Sequence, residues 1–357
     1  MKTWKRFQGA IALVLFFSAI VVSADVSGQE NDDRPESRYY YTGILGDGIG
    51  IQMELVMDSS GVTGSYMYDK IGIPLSLSGS IDKETSIMTI VEQDEKGNRT
   101  GTFVGKLESE GTNYAKTIEG KWMKAGGGDK IPFKLNKIAY YITSETKAGG
   151  KYEMSYMYPD FISGLKPFQE ISQELEKSAL AEQAKFMKEA EEYFKSQESE
   201  PMAEWQERYN YAIEYYSPEV VSLSGEIYVY GGGAHGNTQY MSSNYWIKDG
   251  KPYLLKLSDL FLQDSNYLKA LSDYCITDLR KQEAGWVVDG QLKELGPDDM
   301  SAFAISPRGI SIAFVPYAVG SYAEGPYFVT VPYSALKEVI DPAGPLGKMA
   351  GLSGRGK

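Results

Sequence analysis

The chain has 357 residues, 42% hydrophobic and 24% charged, an ordinary globular balance with length for two or three domains of about 100–200 residues each. Its 36 Lys and Arg against 48 Asp and Glu give a formal net charge of −12. That argues against a nucleic-acid binder, which needs clustered cations to neutralise phosphates, and favours a cationic partner. One cysteine excludes an internal disulfide, and one histidine cannot supply a multi-histidine metal site.

In chain order, Lys2, Lys5 and Arg6 precede an apolar run over 10–22, shorter than the about 20 residues of a membrane span. Val22, Ser23 and Ala24 supply small residues for cleavage before Asp25. Residues 1–24 are therefore expected to be a secretory signal, with an uncleaved anchor as the alternative. Either places the bulk of the protein outside the cytoplasm, periplasmic or secreted, and a membrane is a partner only if the signal stays. No cysteine follows the run, so no lipid anchor is expected. Residues 25–37 are polar with Pro and Gly and read as a disordered linker.

Residues 38–138 alternate apolar and polar positions in seven segments, among them IGIQMELVMD, SIMTIVEQD and KIPFKLNKI, separated by turn signals such as DSSG and EKGN. This pattern predicts an all-β small barrel or sandwich. Glu92 and Glu119 lie on strand-like runs and read as solvated carboxylates. A small-molecule carrier would require an apolar cavity inside this barrel.

Residues 139–340 read as an α+β domain: an antiparallel sheet with two main helices on one face. The stretch 167–199 carries Phe168, Ile171, Leu175, Ala179, Phe186 and Phe194 at helical spacing, with Glu and Lys on the other side. A second amphipathic stretch, 265–283, holds Cys275 as a buried thiol. Strand patterns cover much of 205–261, and 301–340 reads as two more strands and a short closing helix. The Gly-rich end, 341–357, is expected to be a disordered tail.

Two loops are candidate sites. YVYGGGAHGN, 228–237, holds Gly232, Gly233 and His235. It can be a glycine turn pinned by the imidazole, part of a binding surface, or a catalytic or metal position. No G-x-S-x-G accompanies it, and Asn237 and Thr238 lead into a strand rather than a helix, which removes nucleotide binding. The second loop, PYAVGSYAEGPYF, offers Tyr317, Tyr322 and Tyr327 as contact residues or as core, with Glu324 as a negative charge for a basic partner.

The ordered pieces YEMSYMYPDF, SLSGEIYVYGGGAHGN, NYWIKDGKPYLLKLSDLF and FAISPRGISIAFVPYAVGSYAEGPYFVTVPYSAL resemble the RsiV/PdaC-like extracytoplasmic domains, DUF3298 with a DUF4163-like N-terminal part. The resemblance covers a little over half of the chain. About nine residues precede the apolar run, so no cytoplasmic sigma-binding domain is expected, and a deacetylase metal site lacks its histidines. The resemblance implies a non-enzymatic binding or sensing protein of the bacterial envelope, without cofactor, metal or catalytic residues, whose partner is a cationic protein such as lysozyme, or peptidoglycan. The alternative is a glycan hydrolase using two carboxylates about 5–10 Å apart.

Overall fold

The computed structural model describes residues 37–108, 116–162, 164, 166–196 and 203–352. The expected signal, the expected linker except Ser37, and residues 353–357 lie outside the described residues. The described chain forms two compact units, one of residues 37–142 and 159–172, the other of 143–158 and 173–352.

The first unit is an eight-stranded closed sheet. Its strands are β1 (Ser37–Leu45), β2 (Ile49–Met57), β3 (Val62–Tyr68), β4 (Leu75–Asp82), β5 (Ile87–Gln93), β6 (Arg99–Glu108), β7 (Thr117–Lys124) and β8 (Ile131–Ala148). Each pairs antiparallel with the next, and β1 pairs back with β8 from Tyr39↔Tyr140 to Leu45↔Phe133, which removes both edges. The strands alternate as the sequence does: Ile51, Met53 and Leu55 are buried within one core cluster, and Met88 and Ile90 of β5 join them. Tyr66 and Phe133 each meet Phe103 edge to face at 5.1 Å. These side chains form one core cluster, each contributing about 1.5–3 kcal/mol by burial.

Two details differ from the sequence reading. The strand that closes the barrel, β1, is not among the seven alternating segments, because Tyr39, Tyr40 and Tyr41 are all buried and hide its period of two. Glu92 is not solvated: it is 3% exposed and takes hydrogen bonds from Tyr66 Oη, Thr100 Oγ1 and Trp122 Nε1. Three donors repay the burial of a charge that an apolar interior alone would reject. Glu119 is exposed as expected and pairs with Lys134.

The second unit contains a sheet in the order β9 (Tyr152–Phe161), β10 (Trp205–Tyr216), β11 (Val220–Tyr230), β12 (Asn237–Lys248) and β13 (Lys251–Leu254). Residues 152–158 of β9 belong to this unit, as do residues 173–196 of α1 (Lys166–Ser196). The expected antiparallel sheet is corrected at one place: β9 and β10 run parallel, Tyr152↔Trp205 to Met157↔Asn210. The long α1 between them supplies the crossover that parallel neighbours require. The helical stripe is seen as expected, with Ala179, Phe186 and Phe194 buried.

Beyond the sheet come α2 (Tyr267–Lys281), the short α3 (Gly285–Val288) and a second antiparallel sheet of β14 (Phe303–Ser306), β15 (Gly309–Phe314) and β16 (Tyr327–Pro332). A buried polar relay joins the two sheets. Ser222 Oγ donates to Asn244 Oδ1 at 2.7 Å, Asn244 Nδ2 to the Phe303 carbonyl at 2.7 Å, and the Ile305 N–H to Ser222 Oγ at 2.8 Å. Each member is satisfied, so the relay fixes the register of the sheets at little cost. Cys275 lies in this core as a structural thiol, and burial pushes it up to about 12. The expected tail is corrected over 341–352: Leu346 and Leu352 pack into the same core, so the fold continues past 340.

Candidate binding face

β11 and β12 form a hairpin, in register from Val220↔Trp246 to Val229↔Asn237, and the glycine-rich turn 231–236 lies at its tip. Gly232 and Gly233 have φ of 86° and 124°, a region side-chain-bearing residues avoid, and the Gly233 carbonyl accepts the Tyr230 hydroxyl at 3.1 Å. Gly236 is buried where the turn presses on Tyr228; a Cβ there would stand 2.5 Å from that ring. His235 is exposed, and its Nδ1 donates to the Gly236 carbonyl at 2.9 Å, which fixes the proton on Nδ1.

The second loop reaches the same turn. Between β15 and β16 a single 3-10 turn, Tyr322–Glu324, stands on the Glu324 carboxylate. Glu324 Oε1 accepts Ser321 N–H and Oγ, each at 2.8 Å, and Oε2 accepts Gly285 N–H at 2.8 Å and Tyr327 Oη at 2.9 Å. Backbone donors from Ser321 and Gly285, then the two hydroxyls, hold its carboxyl down at about 2. Glu324 therefore remains charged but spends its oxygens on the loop. Tyr322 stacks on His235, centroids 3.7 Å apart and planes at 19°, and donates its hydroxyl to the Gly236 carbonyl at 2.8 Å. Tyr317, 54% exposed and at φ 71°, stands 5.6 Å from the Tyr322 ring.

Of the residues singled out by sequence, the structure thus groups His235, Tyr317 and Tyr322 at one exposed aromatic patch. Glu324 and Tyr327 support it from behind, and Gly232 and Gly233 shape the turn. Arg208 escaped the sequence reading. It faces Tyr228 across the β10–β11 pair and lays its Cζ 4.5 Å from that ring's centroid. The signal was present in WQERYNY: Trp205, Glu207 and Tyr209 share one face, leaving Arg208 on the other among polar residues. Glu226, one row further along, has its carboxyl raised by burial and lowered less by Arg208.

His235 has no nucleophile hydrogen-bonded to it, and among the described residues no three His, Cys, Asp or Glu side chains converge to hold a metal. Glu207, pushed up to about 7 by burial and then by Glu182, lies 5% exposed beneath α1. A depression of 420 Å³ lined by Trp246, Tyr253, Asp249 and Asp259 sits at the opposite end of the sheet strands, and Asp259 there accepts the Lys256 N–H at 2.8 Å.

Residues 145–238 match the family described as Deacetylase PdaC, and residues 258–334 match Protein of unknown function (DUF3298). Two segments of the chain, 145–238 and 258–334, are thus similar to PdaC and to DUF3298 respectively. The turn at 231–236 falls in the PdaC match and the loop at 316–327 in the DUF3298 match, so the two matched segments meet at the His235–Tyr322 stack. The peptidoglycan-N-acetylmuramic acid deacetylase PdaC of Bacillus subtilis (strain 168) is 31% identical over 134 residues, 37% of this chain. The alignment takes in 28% of that protein's length. Two solved DUF3298 proteins also align with this chain. The one from Pseudomonas aeruginosa PAO1 is 14% identical, covers 57% of this chain and 93% of its own, and has a TM-score of 0.45. The one from Bacteroides fragilis NCTC 9343 is 16% identical, covers 59% and 97%, and has a TM-score of 0.39. No helix among the described residues is long and apolar enough to cross a membrane.

Proposed function

We propose that the protein is an exported, non-enzymatic binding protein of the bacterial cell envelope and that it takes peptidoglycan glycan at the His235–Tyr322 patch. One observation carries this reading: loops from two different sheets converge to hold exposed aromatic rings in a fixed arrangement. Such rings offer an apolar face to the C–H side of a sugar, while the Tyr317 hydroxyl and the second imidazole nitrogen of His235 are left for its polar groups. Holding them rigid before the ligand arrives lowers the ordering cost of binding. The Bacillus subtilis relative, a peptidoglycan-N-acetylmuramic acid deacetylase, supports the choice of polymer.

A second reading, a cationic protein such as lysozyme, is favoured by the net charge of −12, which would speed association at low salt and lose its hold as salt rises. Both are tested by co-sedimenting the full chain with peptidoglycan sacculi and by retaining it on immobilised lysozyme at low and moderate salt. Sedimentation with sacculi that Tyr322→Ala abolishes is the expected result. Absence of sedimentation with salt-sensitive retention on lysozyme would replace the glycan by the protein partner, and failure in both assays would end the binding reading.

A further inference from the structure

The turn that carries His235 rests on a second, unclaimed surface. Gly236 packs on the Tyr228 ring, and Arg208 covers that same ring. In register, Arg208, Tyr228 and Thr238 form one row across β10, β11 and β12, and Asn210, Glu226 and Tyr240 form the next row on that face. All six are partly exposed. The alternate residues of β10, Glu207 and Tyr209, are buried on the opposite face.

A guanidinium carries five N–H donors in a fixed fork and accepts nothing. Among the described residues Arg208 makes no hydrogen bond and no ion pair; its contacts are the Tyr228 ring and the field of Glu226. The contrast with Arg38 is direct, because that arginine is bound at 2.6 Å to Glu54. In a chain with a surplus of carboxylates, an arginine held half-buried on the partly exposed Tyr228 ring matches the geometry of an external carboxylate. Stacking fixes the plane of the fork, so less ordering is lost when two parallel N–H···O bonds form.

We infer that Arg208 is a carboxylate-reading subsite of this face, taking a carboxylate of a peptidoglycan fragment whose sugar rings meet Tyr317 and Tyr322. The choice of polymer rests on the glycan reading above; the carboxylate chemistry does not. The carboxylate can be borne by an acidic sugar or by the C-terminus of a stem peptide, and the chemistry at the guanidinium is the same.

Calorimetric titration of the full chain separates these cases. The probes are a chito-oligosaccharide without carboxylate, N-acetylmuramic acid, and a short peptide with a free C-terminus, each run on the wild type, Arg208→Gln and Arg208→Lys. Arg208→Gln is expected to weaken a carboxylate probe about tenfold or more. Arg208→Lys, which keeps the charge but loses the fork, recovers part of that loss. The neutral oligosaccharide binds all three proteins alike, and the melting midpoint stays within the spread of replicates. The carboxylate probe that responds identifies the source. If both carboxylate probes bind the wild type and Arg208→Gln equally, or neither binds the wild type, the subsite is refuted. If the neutral oligosaccharide fails while a carboxylate probe still depends on Arg208, the glycan reading falls and the subsite stands.

Discussion

At the scale of single residues, the lone histidine works through its neighbours. Its Nδ1 and the Tyr322 hydroxyl share the Gly236 carbonyl as acceptor, and the two rings stack. The local sequence showed that no nucleophile motif or phosphate-loop ending accompanies His235. It did not show that Tyr322 stacks on His235, because a contact between loops so far apart in sequence leaves no periodic trace. Glu324 yields a pH prediction. Its folded carboxyl is held near 2, below the ordinary value of 4.5, so its contribution is fully present above about pH 4.5 and is lost as pH falls toward 2. Melting midpoints taken from pH 6 to pH 2 should fall less steeply in Glu324→Gln than in the wild type. Glu92 yields a stability prediction. Glu92→Ala removes the acceptor of the buried Tyr66 hydroxyl and of the partly buried Thr100 and Trp122 donors, and at about 1–3 kcal/mol per unsatisfied buried group denaturant unfolding should show a loss of about 1–3 kcal/mol. A loss under about 1 kcal/mol would mean those donors find other acceptors.

Elements show where pattern suffices and where it does not. Alternation identified seven barrel strands because each has one buried and one exposed face. It passed over β1, buried on both faces at Tyr39–Tyr41. Direction was not legible either, since a period of two is the same in parallel and antiparallel strands; only the length of α1 hinted at the β9–β10 crossover. The α1–β10 contact also carries a charge conflict. Glu207 on β10 lies beneath Glu182, Lys185 and Glu189 of α1; burial is the largest influence, Glu182 and Glu189 raise its carboxyl further, and Lys185 lowers it. Its folded value, about 7, exceeds the ordinary 4.5, so the folded state holds this proton more tightly than the unfolded one. Stability is therefore greatest below about pH 4.5 in this contribution and declines as pH rises through 7. Glu207→Gln should raise the melting midpoint at pH 8, where the wild type buries a charge, and leave it nearly unchanged at pH 4. An equal shift at both values would assign the effect to packing instead of charge.

For the whole molecule, composition set the frame: one cysteine excludes an internal disulfide, and one histidine cannot supply a multi-histidine metal site. The PdaC/DUF3298-like segment was legible through its ordered motifs and is borne out by the matches over 145–238 and 258–334. The binding face was only half legible. Its loops stand out by their Gly and Tyr content, whereas Arg208 gains meaning only from the strand register that lays it on Tyr228. Net charge and local charge also diverge, since an overall −12 coexists with an uncommitted guanidinium at the face. The central claim is that the stacked loops bind peptidoglycan. Its most direct test is the affinity of the full chain for purified sacculi, compared with Tyr317→Ala and Tyr322→Ala proteins of unchanged circular dichroism. The account predicts saturable binding that falls about tenfold or more in Tyr322→Ala; equal affinity of wild type and both variants would contradict it.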